Sequence, residues 1–158
     1  MVEIETDRLR IVPMTPPEIT ELINKYKTSV PELSNAYSEM LANCTAHPEQ
    51  YLWYTTWRIS TRENHTEIGY AGFKGLRPDG STEIGYGIDS GYEGLGYATE
   101  AAAALCHWAL AQDGVRRIEA ETTADNKASL HVLQKIGFLP TGESGKEGPR
   151  FVYSGPES

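Results

Sequence analysis

Cysteine is scarce in this chain. There are two, Cys44 and Cys106, far apart and without a CxxC spacing. Such thiols read as buried or half-buried residues in a reducing compartment rather than as a disulfide framework. The four histidines, His47, His65, His107 and His131, have no metal-ligand spacing among themselves or with the cysteines, so no metal is expected. No apolar run approaches the roughly 18 residues that a membrane span needs. The stretch "MVEIETDRLRIVPM" has no apolar signal core, and an intracellular, cytoplasmic location follows as the expectation. Basic residues are outnumbered, 14 Lys and Arg against 22 Asp and Glu, for a net charge of −8. That excess argues against nucleic acid as the main partner, because phosphate binding wants Lys and Arg patches. No linker, repeat or low-complexity tract breaks the 158 residues, so a single domain over 1–158 is expected, long enough to bury a core without staples.

What is present has a clear order. "DRLRIVPM" (Asp7 to Met14) reads as a first strand. Thr15 is a good N-cap for a helix through "PPEITELINKY", whose prolines fit the first turn and whose apolar stripe is Ile19, Leu22 and Ile23. Pro31 starts a second helical stretch to about Asn43, and Pro48 closes the connection after it. "YLWYTTWRIS" alternates with period two, which predicts a strand from Tyr51 to Ser60. "EIGYAGFKGL" and "TEIGYGID" are two more strands, joined by a turn with Asp79-Gly80 at its tip. Together these three read as an antiparallel meander. A helix from about Leu95 to Gln112 follows, then the strand "VRRIEAETT", a helix from Asn126 stopped by Gly137, and short strands in "FLPTGES" and "RFVYSGP". Strand, helix, strand from Thr82 to Thr123 demands a parallel pair with a crossover. The fold class is therefore mixed α/β, a mostly antiparallel sheet with a central parallel βαβ unit.

The segment "GYEGLGYATE" carries the most chemistry. The first N–H groups of a helix lack intrahelical partners and have a partial positive charge behind them. Glycines just before them let an anion approach the main chain. Gly94, Leu95, Gly96, Tyr97, Ala98 and Thr99 could thus cradle a phosphate or pyrophosphate with amides alone. Net charge does not forbid this, being diffuse and screened where amides act at contact. A Walker loop is excluded, since Gly96 is followed by Tyr97-Ala98 and not by Lys and Ser or Thr. A dinucleotide (ADP or NAD) reading survives on Glu121 and Asp125, and so does a glycine-rich turn with no ligand.

"YEGLGYATEA" resembles the pyrophosphate-binding motif [QR]-x-x-G-x-[GA] of the GNAT superfamily of acetyl-CoA-dependent N-acetyltransferases, falling here on Glu93 to Ala98. "NKASLHVLQKIGF" (Asn126 to Phe138) is similar to that superfamily's later N-x-x-[AS]-…-K-x-G-F helix. "ETDRLRIVPMTP" is similar to the T-x-R-L start of the branch with the ribosomal-protein alanine (RimJ/RimL-type) acetyltransferases. The order and spacing of all three match. Two departures stand out. Glu93 replaces the usual Gln or Arg, and Leu133 occupies the position where many members carry a Tyr that protonates the leaving thiolate.

The resemblance implies direct attack of an amine on the acetyl-CoA thioester, with three tasks: deprotonating the amine, stabilising the oxyanion and protonating the sulfur. Glu83 is the candidate base, on the strand entering the glycine loop, where it shares a face with Gly85, Gly87 and Asp89. Glu121 is the runner-up, and water is a third option. Ser129 is the candidate acid toward the sulfur, on one helical face with Asn126 and Leu133; a local helix-surface role is its alternative. Asn126 either contacts the pantetheine arm or caps its helix, or does both. A backbone N–H near Ile88 is the candidate oxyanion donor. The expected coenzyme-binding set is Ile88, Glu93, Gly94, Leu95, Gly96, Tyr97, Ala98, Thr99, Asn126 and Ser129. Tyr51, Trp53, Tyr54 and Trp57 either line an acceptor pocket or belong to the core. The expected partners are acetyl-CoA and an amine acceptor, with nucleic acid and membrane excluded and a homodimer left open. A non-catalytic acyl-CoA-binding module is the competing function.

Overall fold

The computed structural model describes residues 2–156. A short strand β1 (Ile4–Glu5) precedes β2 (Leu9–Pro13), and two helices follow, α1 (Pro16–Tyr26) and α2 (Pro31–Ala46). Thr15 caps α1 in a reciprocal box: its side chain accepts from the Glu18 amide, and the Glu18 carboxylate accepts from the Thr15 amide. Three antiparallel strands form the expected meander, β3 (Thr56–Thr61), β4 (Glu67–Phe73) and β5 (Ser81–Ile88). Helix α3 (Tyr97–Leu110) crosses to β6 (Arg117–Glu121), which is parallel to β5. Helix α4 (Lys127–Ile136), β7 (Leu139–Ser144) and β8 (Pro149–Tyr153) follow. Among the described residues eight strands make one sheet in the order β1-β2-β3-β4-β5-β6-β8-β7, antiparallel except at β5–β6.

Helix α3 packs on one face of the sheet. Its Ala101, Ala102, Leu105 and Ala109 are fully buried in one cluster with Trp57 and Ile59 of β3, Ala71 and Phe73 of β4, Ile84 of β5 and Ile118 of β6. Alanines at the contact let helix and sheet approach closely, and Trp108 fills the remaining space against Trp53 and Trp57, with ring centroids 5.1 and 4.9 Å away. Helices α1 and α2 cover the opposite face of β3 and β4, around Met14, Ile19 and Cys44. Among the described residues no helix is long and apolar enough to cross a membrane.

Several boundaries differ from the sequence reading, among them the end of α2, at Ala46 rather than about Asn43. Residues Tyr51 to Trp53 are not strand but the end of a 3₁₀ turn (Pro48–Trp53), and β3 starts at Thr56. Proline at the start of the turn and amide bonds from Tyr54 and Thr55 to the Tyr51 carbonyl hold it, while Trp53, Thr55, Trp57 and Ile59 are still buried in alternation. The period-two pattern therefore reports burial there, not backbone. Helix α3 begins at Tyr97 rather than Leu95 and ends at Leu110, because Gly96 adopts φ +84° and so stands outside the helix. Strand β1 was not foreseen; two residues are too short for a periodic signal.

Candidate active site

The sheet opens where the chemistry is expected. Strands β5 and β6 pair only from Ser81–Arg117 to Glu83–Glu119, although β5 runs on to Ile88 and β6 to Glu121. Beyond Glu83 the two strands part. On its other side β5 stays paired to β4: the Lys74 amide donates to the Glu83 carbonyl at 2.9 Å, and the Asp89 amide donates to the Ile68 carbonyl at 2.7 Å. Bonded pairs alternate in an antiparallel ladder. The odd residues of β5 are thus engaged with β4, and the N–H groups of Tyr86 and Ile88 face the opening. The ladder parity thus turns the Ile88 amide toward the opening.

The glycine loop sits at one end of this opening. Gly94 and Gly96 have φ of +77° and +84°, a region closed to most side chains. Among the described residues no side chain caps α3, so the amides of its first turn face outward. A groove of about 520 Å3 runs from this turn to α4, lined by Ile88, Glu93, Gly94, Gly96, Tyr97, Ala98, Thr99, Asn126 and Ser129 of the expected set. Leu95 does not line it. Its side chain is exposed and its carbonyl accepts from Arg8 Nη1 at 3.0 Å. The groove also contains Tyr86, His131 and Lys135, none of which the sequence reading assigned a role. Lys135 lies one turn beyond His131 on α4, and its place as the lysine of the K-x-G-F stretch was the available signal.

Arg8 explains the N-terminal motif. Its Nε pairs with Glu100 of α3 at 2.7 Å, and Thr6 Oγ1 donates to the same carboxylate at 2.5 Å. Its guanidinium also lies 4.3 Å from the Tyr97 ring centroid. Thr6 and Arg8 together tie β2 to the glycine loop and the first turn of α3.

A second, smaller groove of about 250 Å3 adjoins the first and shares Tyr86, Asn126 and Ser129 with it. Glu83 and Glu121 line it. Neither is a free carboxylate. Glu83 is buried, with Lys74 Nζ and Arg150 Nη2 each 2.8 Å away. Glu121 pairs with Arg150 Nη1 at 2.6 Å and accepts the Glu147 amide at 3.0 Å. Burial works to raise the Glu83 carboxyl, but hydrogen bonds from Lys74 and Arg150 outweigh it and hold the group below the ordinary carboxylate value. Glu121 is held low as well, first by the Glu147 amide and then by Arg150. Both are ionised at neutral pH and both are weak proton acceptors. Glu119, opposite Glu83 in the parallel pair, meets the same guanidinium at 2.9 Å.

Asn126 caps α4, its Oδ1 accepting from the Ser129 amide at 3.1 Å. The Ser129 hydroxyl is turned to Tyr86, whose Oη is 3.1 Å away. Leu133, one turn further on, is buried and apolar. A third groove, of about 560 Å3, lies between α1–α2 and the strands β3 and β4. Tyr26, Tyr37, Tyr70, Glu67 and Asp89 line it. The Tyr70 ring rests on Gly87, where a Cβ would come within 2.9 Å of it. Trp53 and Trp57 are core, and Tyr51 and Tyr54 pack against the small cluster under α1 and α2; none of the four lines this groove.

Known proteins share this fold. The family described as acetyltransferase (GNAT) domain matches residues 5–139. Over 88 residues the chain is 38% identical to the N-acetyltransferase YjdG of Bacillus subtilis, covering 54% of this chain and 52% of that protein. The chain spans about half the length of the curated relatives it matches. Among solved structures, RimL, a ribosomal alpha-N-protein acetyltransferase in complex with coenzyme A, superposes with a TM-score of 0.74 at 17% identity, over 97% of this chain and 98% of that one. A ribosomal-protein-alanine acetyltransferase from Vibrio fischeri gives 0.71 at 18% identity, over 96% and 94%. At such identities the likeness concerns the fold. The family match spans the opened sheet and the glycine loop, and it takes in α4 as well; the chain belongs to the GNAT acetyltransferase family.

Proposed function

We propose that the protein transfers the acetyl group of acetyl-CoA to a primary amine by direct attack in a ternary complex. The observation that carries this is the opening between β5 and β6, with bare helix amides at one end and Ser129 with Glu83 at the other. The Gly96–Thr99 turn would hold the diphosphate and the Ile88 amide the oxyanion. Lys135 supplies a local cation in a chain of net charge −8. Glu93 lies at the groove rim and is exposed, which lets its carboxylate turn to water and away from a diphosphate.

The acceptor would approach from the groove under α1 and α2, on the other side of Gly87. Its lining holds Lys25 and Arg58 beside Glu67 and Asp89, with Arg58 already paired to Glu18, and its tyrosines and carboxylates offer places for the ammonium of a protein N-terminus, an amino acid or a small amine. Because Glu83 is a weak base, it takes the amine proton through water and passes it on to solvent, with Glu121 beside it.

Leu133 in place of the usual acid favours one rival, a binding module without turnover. Thiol release from acetyl-CoA with a mixed library of primary amines, and mass spectrometry of the products, separates the two. Release with an acetylated amine supports transfer; binding without release supports the module; no binding removes both. Glu83→Gln and Ser129→Ala should each slow turnover by about 10²-fold, in the range of general acid–base contributions. Full activity in both would reassign those roles.

A further inference from the structure

Two hydroxyls meet where the two grooves on the coenzyme side join. Tyr86 projects from β5 and Ser129 from the first turn of α4, their oxygens are 3.1 Å apart, and both residues line both grooves. The Ser129 amide is engaged by Asn126, while its hydroxyl has Tyr86 as partner. Leu133 supplies no proton. Resting on the acetyl-transfer reading above, we infer that Tyr86 and Ser129 form a two-hydroxyl relay that protonates the departing coenzyme A sulfur, with Tyr86 the source and Ser129 the carrier.

The chemistry requires two groups. A serine that gave up its proton alone would leave an alkoxide, far more basic than the thiolate it protonates. A serine that receives one proton as it gives another avoids that state. As the C–S bond breaks, its electron pair stays on sulfur. The Ser129 O–H proton moves to that sulfur and forms S–H, and the Tyr86 O–H proton moves to Ser129 Oγ. The Tyr86 oxygen then regains a proton from water in the 250 Å3 groove, into which the acceptor nitrogen sheds its own. Starting from the neutral amine, one proton leaves nitrogen and one arrives on sulfur. Burial pushes the Tyr86 phenol above its ordinary value, against the opposing pull of Ser129, so it carries its proton throughout the neutral range.

The test uses Tyr86→Phe, which keeps the ring and its packing, Ser129→Ala, and the double variant. The first readout is the ultraviolet thiolate absorbance of bound coenzyme A as pH is raised. Spectra of each variant without coenzyme A, taken over the same pH range, are subtracted to remove its own tyrosines and thiols; burial pushes the Cys44 thiol up and the Cys106 thiol up to about 12. The charged groups around the two grooves, Lys74, Glu83, Glu93, Glu121, His131, Lys135 and Glu147, are the same in every variant, so the difference isolates the hydroxyls. A hydrogen bond from Ser129 to the thiolate should make the bound thiol about ten-fold more acidic in the parent than in Ser129→Ala. The second readout is turnover: kcat should fall about ten- to a hundred-fold in Tyr86→Phe with KM for acetyl-CoA unchanged, and the double variant should be no slower than the slower single one. An unmoved thiol titration, an unmoved kcat, or multiplicative losses in the double variant overturns the relay. A parent protein that binds no coenzyme A overturns the acetyl-transfer reading too, and is recognised because the parent itself fails.

Discussion

Arg8 and Glu100, 92 residues apart in the chain, close the base of the glycine loop. The guanidinium donates to the carboxylate at 2.7 Å and to the Leu95 carbonyl at 3.0 Å, so one side chain holds both the loop and the helix that follows it. Arg8→Ala should weaken coenzyme A binding by about ten-fold, the equivalent of one charge-assisted hydrogen bond, while the melting temperature moves little because the pair is partly exposed. Calorimetric titration and a thermal melt on the same sample check this. Equal affinity in parent and variant would show that the loop keeps its shape without Arg8.

Gly94 offers the complementary experiment. A Cβ there meets nothing within 4 Å, yet φ is +77°. Gly94→Ala should therefore cost about 1 kcal/mol of stability from backbone strain alone. It should cost coenzyme affinity besides, because the methyl group stands beside the amides that the diphosphate must reach. Urea unfolding reads the first and calorimetry the second; a variant that binds as well as the parent would remove the loop from the diphosphate site.

Arg150 neutralises Glu83 and Glu119, which the parallel register sets side by side. Like charges in such a cross-strand pair repel. Arg150→Leu leaves both with reduced compensation and should destabilise the fold by about 2–3 kcal/mol, at or below the lower end of the range for a broken buried pair since the guanidinium is only partly buried. The denaturation midpoint should rise again when Glu119→Gln is added. A single variant as stable as the parent would mean that Lys74 and Arg77 suffice.

Acid sensitivity follows from the same carboxylates. Glu83 and Glu100 are held below the ordinary 4.5 by hydrogen bonds from Lys74 and Arg150 and from Thr6 and Arg8, which outweigh the upward effect of burial. Asp79 is pulled down to about 2, first by the Ser81 hydroxyl and amide, then by Arg117. Depressed folded values contribute stability above the unfolded value and lose it as pH falls through the folded one. Stability should be level from neutral pH to about 5 and should decline from there toward pH 2. Chemical denaturation midpoints along that series check the sign; a protein that gained stability on acidification would contradict it.

Much of the site could be read from short stretches. The reciprocal Thr15–Glu18 cap, the Asn126 cap, the Gly137 stop and the two positive-φ glycines before α3 are each settled by a few neighbouring residues, and each stands where the sequence puts it. Glu83 was also correctly set on β5, but not its surroundings. Its partner Arg150 lies 67 residues away, and no local pattern tells a solvated carboxylate from one held by a guanidinium. Tyr86 escaped notice for a similar reason, since on an alternating strand a tyrosine reads as core until the helix against it is known to present a serine.

By itself the sequence determined the order of the main elements and the caps and stops of several helices, because hydrophobic period, capping and turn chemistry act within a few residues, and its short motifs carried the resemblance to the family. Only the tertiary structure decided how far β5 and β6 stay paired, which amides face the opening, and which carboxylates are already spoken for. Those depend on ladder parity and on charges brought together from distant parts of the chain.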